Sequence, residues 1–237
     1  MKKIGIFDSG CGGLSLVNAL QYRQESFHIV YYADTKCFPW GNKSRNLLLP
    51  RLHEISSVFH NQNVDIVIPA CHTITGLFQD EFNTIFTQEV WPIFNSTKHY
   101  YTHNEYTILV TPSSFNSNIF CKLFQEPHYR IQQIICQDLA THIENHQFEQ
   151  AFKMLDKLLK NVQFKQVILG CTHYSLLDNA IKRRYPELTI INPIQFFAQE
   201  NAARIQSNDN HLTILTSNQP SPHTPITFDY FLSQVTH

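Results

Sequence analysis

Two cysteines in similar local settings are the side chains of this sequence best suited to chemistry. Cys71 follows the apolar segment Val64–Ala70, Cys171 follows the apolar segment Lys165–Gly170, and the two cysteines lie 100 residues apart. Each falls at the end of an expected strand, at an equivalent point of one of two half-molecules. Two thiols that face each other can remove a proton from one side of a carbon and return a proton from the opposite side. The pairing predicts racemisation.

A single free cysteine is more simply interpreted as a buried structural residue, because cysteine is among the most buried residue types. Here both cysteines precede an expected helix start, where amide groups and the helix dipole favour a thiolate. An unperturbed thiol has a pKa of ~8.5, so a catalytic thiol needs such stabilisation or a neighbouring proton acceptor. The shared position therefore favours catalysis over a structural role.

Further polar residues follow the expected strand ends. Asp8 is expected to position a proton or hold an ammonium group and Ser9 to bind a carboxylate, since the glycine turn after them lacks the GxGxxG spacing of a phosphate loop. His173, two residues after Cys171, is placed to orient or protonate a group on that side of a substrate. Hydroxyls suited to both helix capping and carboxylate binding complete the set: Thr73, Thr111, Ser114, Ser117 and Thr172.

Strands and helices alternate along the chain in a pattern typical of parallel α/β sheets. One helix is expected from Ser114 to Phe124, and Ser44 is expected to cap another that runs to about Asn61. The expected strands are Lys3–Asp8, His28–Asp34, Val64–Ala70, Val90–Phe94, Tyr106–Thr111, Tyr129–Cys136, Lys165–Cys171, Leu188–Asn192 and Leu212–Ser217.

The pattern restarts after a polar stretch at 95–104, which predicts two similar parallel-sheet α/β domains. Residues 1–95 with about 208–237 are expected to form the first domain and residues 96–207 the second. Ligands of parallel sheets bind beyond the carboxyl ends of the strands. The candidate residues therefore predict an active site in the cleft between the domains.

Composition excludes several classes of protein. The 237 residues are 43% hydrophobic, and 18 basic against 19 acidic residues give a net charge of −1, so we expect no nucleic-acid partner. No apolar run approaches the ~20 residues of a membrane helix, and the first strand begins too early for a signal peptide. We expect a cytoplasmic protein with reduced thiols, and six cysteines without a CxxC pair predict no metal site.

Four segments carry a resemblance to a known family: Ile4–Ser15, Tyr31–Ser44, Ala70–Thr73 and Val167–Leu177. Their motifs, in this order, resemble those of the glutamate racemases of the cofactor-independent aspartate/glutamate racemase superfamily. A weaker match is Thr111–Ser117, and the spaced pair Cys136 and Glu144 also fits. The resemblance covers most of the chain.

The resemblance implies direct proton transfer at an amino-acid Cα without a cofactor. Cys71 would act on the D-isomer with the support of Asp8, and Cys171 on the L-isomer with the support of Glu144 and His173. The substrate, glutamate, would be held by Ser9, Pro39, Trp40, Gly41, His72, Thr73, Thr111, Ser114 and Thr172. The resemblance also implies a homodimer of bacterial origin that supplies D-glutamate for peptidoglycan.

The sequence departs from the family pattern mainly in the residues expected to hold the substrate. His72 replaces an asparagine that contacts the substrate, and Trp40 replaces a tyrosine between proline and glycine. His72 is bulkier than asparagine and can carry a positive charge. A displacement of about 1 Å in such residues can lower the rate about 100-fold.

Three alternatives to a glutamate racemase remain at this point. An aspartate or other amino-acid racemase of the same fold would differ in pocket volume near His72 and Trp40. A non-catalytic protein that binds an amino acid would need neither Cys71 nor Cys171. A Cys/His hydrolase would need only one essential cysteine.

Overall fold

A computed structural model describes residues 2–21, 28–94, 100–204 and 211–217. The described residues form two sheets, each flanked by helices, and every strand pairing within them is parallel. The predicted architecture of two parallel-sheet α/β units is therefore confirmed.

The first sheet has the strand order β4-β3-β1-β2-β9. Its strands are β1 (Lys3–Asp8), β2 (His28–Ala33), β3 (Ile66–Pro69), β4 (Glu89–Val90) and β9 (His211–Thr216). Its helices are α1 (Leu14–Gln21), α2 (Arg45–Asn61), α3 (His72–Phe78) and α4 (Phe82–Ile85), with short 3₁₀ turns at Thr35–Cys37 and Trp40–Asn42.

The second sheet has the strand order β6-β5-β7-β8. Its strands are β5 (Glu105–Val110), β6 (Arg130–Ile135), β7 (Gln166–Leu169) and β8 (Thr189–Ile191). Its helices are α5 (Pro112–Asn116), α6 (Ile119–Leu123), α7 (Leu139–Glu144), α8 (Phe148–Leu158), α9 (Thr172–Leu176), α10 (Asp178–Arg184) and α11 (Pro193–Asn201). Further 3₁₀ turns lie at Leu159–Asn161 and Ala202–Arg204.

The central strands are buried over all but their first residue, as is typical of parallel sheets covered on both faces. Ile4 and Ile6 of β1 are fully buried, as are Val167 and Leu169 of β7. The largest apolar cluster contains residues of both halves, and α1 packs against α11. This shared packing holds the carboxyl ends of the two sheets close to one another.

Three local expectations differ from the structure. The expected strand Val90–Phe94 is limited to Glu89–Val90, and Trp91 N donates once more to Val67 O before the pairing with β3 ends. The single helix expected from Ser114 to Phe124 is broken at Asn118, whose φ of 54° is left-handed and separates α5 from α6. Ser44 does precede α2, but its side chain makes no capping hydrogen bond.

The last described strand returns to the first half of the molecule. β9 pairs in parallel with β2 along its full length, from His211 beside His28 to Thr216 beside Ala33. The division at residues 95 and 208 remains a prediction, and its segments 95–99, 205–210 and 218–237 lie outside the described residues. Among the helices that are described, none has both the length and the apolar character required to cross a bilayer.

Candidate active site

A cleft between the two halves collects most of the predicted site residues. It is lined by side chains and backbone that follow β1, β3, β5 and β7, the four strands expected to end there. Nine predicted residues line it: Ser9, Pro39, Gly41, Cys71, Thr73, Thr111, Cys171, Thr172 and His173. The parallel topology thus brings together polar residues that are far apart in the sequence.

Cys71 and Cys171 occupy matching places at the two sides of this cleft. Cys71 directly precedes α3 and Cys171 directly precedes α9, as the sequence predicts. Each side chain is 6% exposed, and both thiols are free. Two unmodified thiols from opposite halves therefore border one small-molecule cavity.

The surroundings of Cys71 do not stabilise a thiolate in the way expected from its helix-start position. Burial raises the pKa of Cys71 well above its ordinary value, and the negative charges of Asp8 and Cys171 raise it further. Amides of Thr73 and Ile74 act in the opposite direction, but burial outweighs them. Cys71 is therefore a protonated thiol, suited to giving a proton.

Asp8 lies beneath the cleft and links the two halves. Its carboxylate accepts hydrogen bonds from Ser9 N at 2.6 Å and from Thr172 Oγ1, of the second half, at 2.9 Å. Burial raises the pKa of Asp8 above its ordinary value, although His173 and the hydrogen bond from Thr172 act to lower it. Asp8 does not line the cleft and reaches it through Ser9 and Thr172.

His173 connects Cys171 to a carboxylate. Its Nδ1 lies 4.0 Å from Cys171 Sγ, and its Nε2 lies 2.7 Å from Glu144 Oε2. Burial by itself acts to lower the pKa of His173, but hydrogen bonds with Cys11, Cys171 and Glu144 raise it well above the ordinary histidine value. Burial acts to raise the pKa of Glu144, and the bond to His173 holds it below its ordinary value. His173 and Glu144 therefore form an ion pair behind Cys171.

Three hydroxyls form a closed triangle across the cleft. Thr73 Oγ1 of the first half lies 3.0 Å from Thr111 Oγ1 and 3.1 Å from Ser114 Oγ of the second half. Thr111 Oγ1 also lies 2.9 Å from Ser114 Oγ and accepts the amide of Ser114 at the start of α5. Ser114 is fully buried and does not line the cleft, so it supports Thr73 and Thr111 from behind.

The predicted segment Pro39–Gly41 lies at the cleft with its central side chain turned away. Pro39 and Gly41 line the cavity, and a Cβ at Gly41 would meet Thr111 Cβ at 2.8 Å, so only glycine permits this approach. Trp40 is instead fully buried, and its Nε1 donates to Asp34 at 3.1 Å. The expected substrate contact by Trp40 therefore has no support from its position.

His72 lies behind the cleft wall rather than in it. Its ring is 1% exposed, packs edge-on against Phe94 at 5.0 Å and stacks on Phe120 at 6.4 Å between centroids. Neither ring nitrogen has a hydrogen-bond partner among the described residues, and burial lowers the pKa of His72 to about 3. His72 is therefore neutral at neutral pH in this environment, and its contact with substrate remains a prediction.

Several residues of the cleft were not predicted as site residues. Cys136 entered the sequence analysis only through the resemblance, and no local pattern marks the rest as site residues. The unpredicted lining residues are Phe38, Asn42, Pro112, Asp138, Ala140, Thr141 and Tyr174. Most of these residues follow β5 and β6. The sequence signal that could have identified them is therefore their position at the expected carboxyl edge of the second sheet.

One group of side chains within the described ranges has the composition of a metal site. The ligand atoms of Cys11, Glu144 and His173 all lie within 4.8 Å of one another. Glu144 Oε2 also accepts the amide of Cys11 at 2.8 Å. Cys11 and Glu144 are 133 residues apart, so the short spacings by which metal sites are identified in a sequence do not detect this group.

Comparisons with known proteins agree with this arrangement, although no protein-family model matches the chain. A glutamate racemase of Aliarcobacter butzleri is 30% identical over 199 residues, which cover 76% of this chain and 75% of that protein. A glutamate racemase structure from Campylobacter jejuni has a TM-score of 0.82 at 20% identity, covering 99% of this chain and 96% of that one.

A second structure, glutamate racemase from Francisella tularensis in complex with D-glutamate, has a TM-score of 0.80 at 22% identity and covers 100% of this chain and 94% of that chain. At these identities the two structures establish a common fold. The relative at 30% identity, matched over three quarters of both sequences, establishes descent. The chain belongs to the glutamate racemase family of amino-acid isomerases.

Proposed function

We propose that this protein interconverts L- and D-glutamate by proton transfer at Cα between Cys71 and Cys171. The observation that carries the proposal is the placement of two free thiols, one from each half, on the lining of one cleft. Family membership and the bound D-glutamate of the Francisella tularensis structure support glutamate as the substrate.

The unequal surroundings of the two thiols suggest which is the base in each direction. Cys171, beside the ion pair of His173 and Glu144, removes the proton of L-glutamate as a thiolate, and His173 balances its charge. Cys71, which burial keeps protonated, then gives its proton to the opposite face and forms D-glutamate. The reverse reaction uses the same groups in exchanged roles.

Substrate binding is assigned to the polar groups of the cleft. The hydroxyls of Ser9, Thr73 and Thr172 line the cavity and supply donors for the two carboxylates of glutamate. Asp8 positions Ser9 and Thr172 and is near enough to Cys71 to influence its proton. Fixed donors of this kind stabilise the negative charge that develops at Cα without a cofactor.

The cellular part of the proposal follows from the family alone. Supply of D-glutamate for peptidoglycan fits a family whose matched members, including the Aliarcobacter butzleri relative, are bacterial. The cytoplasmic location and the homodimer remain predictions.

Proton NMR in D₂O with reduced protein and no added cofactor tests the activity. L-glutamate, D-glutamate and both aspartates are incubated separately, and loss of the Cα–H signal is followed together with chiral analysis of the product. We expect exchange with both glutamates, and solvent deuterium in the product before it enters the remaining substrate, because two separate thiols face opposite sides of Cα.

Each of the other outcomes assigns a different function to this protein. Exchange of aspartate but not glutamate makes the protein an aspartate racemase. Hydrolysis that survives Cys171→Ala, with no racemisation, identifies a hydrolase with Cys71 as its nucleophile. No exchange of any amino acid by folded, reduced protein refutes racemisation and leaves a binding protein.

A further inference from the structure

The cluster of Cys11, Glu144 and His173 lies at the side of the cleft and contains a thiol that the proposed reaction does not use. Cys11 is 8% exposed and the His173 side chain is 2% exposed, whereas Glu144 is 18% exposed. Their ligand atoms all lie within 4.8 Å of one another. From this convergence we propose that the cluster binds one divalent transition-metal cation, with zinc as the best-fitting ion.

The donor set matches the preferences of zinc. A thiolate, an imidazole and a carboxylate are its common protein ligands, and three such ligands leave a fourth tetrahedral position open for water or another small ligand. Harder cations such as magnesium prefer sites made of oxygen alone. The mixture of sulfur, nitrogen and oxygen therefore selects a zinc-like ion.

The three ligand atoms, which lie within 4.8 Å of one another, must adjust their spacings to bind one cation. Tetrahedral zinc, with bonds of ~2.0–2.3 Å, separates its ligand atoms by roughly 3.3–3.6 Å. His173 Nε2 and Glu144 Oε2 are now 2.7 Å apart in a hydrogen bond, so they move apart by roughly 0.6 Å when the cation replaces the shared proton. The Cys11 amide continues to hold Glu144 Oε2, at 2.8 Å, and orients the carboxylate.

Binding has a consequence for the reaction, and this part of the inference rests on the proposed function. The metal ion takes the imidazole of His173, which otherwise stands 4.0 Å from Cys171 Sγ with Glu144 behind it. A metal ion at Nε2 takes the place of the proton that His173 shares with Glu144, so the ring can no longer hold both of its protons. We therefore expect zinc to inhibit racemisation by replacing the imidazolium–carboxylate pair beside Cys171.

Direct binding is measured first, because it does not depend on activity. Reduced, metal-free protein competes for Zn²⁺ with a chromophoric chelator, and we expect one high-affinity site per chain. Co²⁺ replaces Zn²⁺ in a second titration, where a thiolate-to-cobalt charge-transfer band reports sulfur ligation. Cys11→Ala and Cys11→Ser should each weaken zinc binding at least about 10-fold, with loss of the band, since a ligand is removed.

Cys171→Ala and Cys71→Ala are the matched controls, because these two thiols, like Cys136, are sulfur donors that line the cleft. Both should keep zinc binding and the cobalt band. Circular dichroism and thermal unfolding show whether each variant is folded. If Cys11→Ala does not fold, the comparison is made with Cys11→Ser. Equal zinc affinity in wild type and both Cys11 variants, or loss of binding in Cys171→Ala, overturns the assignment, as does absence of binding by wild type.

The activity arm separates this inference from the proposed function. In buffer with a chelator Cys11→Ala should still racemise glutamate but at a basal rate of its own, because the Cys11 side chain contacts His173 and lies outside the proton path. Added zinc should inhibit wild type and have at least about 10-fold weaker effect on Cys11→Ala. Zinc binding without any racemisation refutes the function and keeps the site, and racemisation by a wild type that binds no zinc does the reverse.

Discussion

The two cysteines occupy the same position in two similar halves, yet their neighbours differ in charge. Cys71 has the buried carboxyl of Asp8 near it, and burial raises the pKa of its thiol. Cys171 has the imidazole of His173 at 4.0 Å, with Glu144 behind that ring. Strand-end position therefore sets where a thiol lies, and the residues packed around it set which charged groups face it.

In each half, a threonine that closely follows the cysteine forms hydrogen bonds with the other half. Thr73 of the first half contacts Thr111 and Ser114 of the second. Thr172 of the second half contacts Asp8 of the first. Because each crossing joins a cysteine-bearing turn to the opposite half, the separation between the two thiols is fixed by hydrogen bonds as well as by apolar packing.

Removal of either thiol should have the largest effect and tests whether the two sides are complementary. Cys71→Ala and Cys171→Ala should each lower net racemisation about 10³-fold, within the range for a positioned proton-transfer group. Each should still exchange one Cα–H with D₂O: L-glutamate for Cys71→Ala, and D-glutamate for Cys171→Ala. Proton NMR of each enantiomer measures this, and a single variant that racemises at the wild-type rate excludes the two-thiol scheme.

His173→Gln should affect one side only. The equilibrium constant of a racemisation is one, so kcat/KM must fall equally in both directions and cannot reveal the asymmetry. Proton exchange by a single remaining thiol can reveal it. In the double variant Cys71→Ala/His173→Gln, exchange of L-glutamate should be about 10²-fold slower than in Cys71→Ala, because the charge beside Cys171 is lost.

The matched measurement is D-glutamate exchange in the Cys171→Ala background. There His173→Gln should change the rate less than about threefold, since only the Cys71 side is active. Equal losses in the two backgrounds mean that His173 holds the structure of the whole cleft rather than the proton of Cys171.

His72, next to Cys71, allows a test of the Cys71 side through the pH dependence of the free energy of unfolding. Its pKa is lowered by burial to about 3, below the ordinary histidine value, so the folded state favours the neutral ring. The stabilisation is complete above the unfolded pKa near 6.5 and is lost as the pH falls towards 3. We expect a loss of about 2 kcal/mol in the free energy of unfolding between pH 7.5 and 5, measured by urea denaturation.

The variant His72→Leu should remove this loss, because it has no group to protonate and fits beside Phe94 and Phe120. At pH 7.5 it should be as stable as wild type or more stable by about 1 kcal/mol, since two unpartnered ring nitrogens disappear. His60→Asn, on the exposed side of α2, is the control and should leave the wild-type curve in place. An unchanged acid loss in His72→Leu contradicts the assignment.

The positions of the cysteines could be predicted from the sequence, whereas the directions of their neighbours could not. Apolar runs identify the strands, and strand ends identify the rim, so Cys71 and Cys171 follow from pattern alone. His72 and Trp40 are next to lining residues in the sequence, but their side chains point into the core. Their orientation depends on Phe94, Phe120 and Asp34, which come from other elements.

Electrostatic and ligand properties were the least accessible from sequence. The helix-start argument for a Cys71 thiolate considers the chain next to the thiol, but burial by both halves decides the outcome. The cluster of Cys11, Glu144 and His173 joins segments more than 130 residues apart, so only the folded topology brings it together.

Ser114→Ala should have the smallest effect and tests whether the hydroxyl crossing matters beyond packing. Ser114 does not line the cleft, so its loss should act through Thr73 and Thr111, which then lose one of their mutual hydrogen bonds. We expect a loss of about 1 kcal/mol in unfolding free energy and a KM for glutamate about fivefold higher, with kcat little changed. Ser117→Ala removes a hydroxyl at the end of the same helix that bonds only Ser114 O among the described contacts, and it should leave KM unchanged. Equal KM values for the two variants would show that the triangle is structural, whereas a shift confined to Ser114→Ala assigns Thr73 and Thr111 to substrate binding.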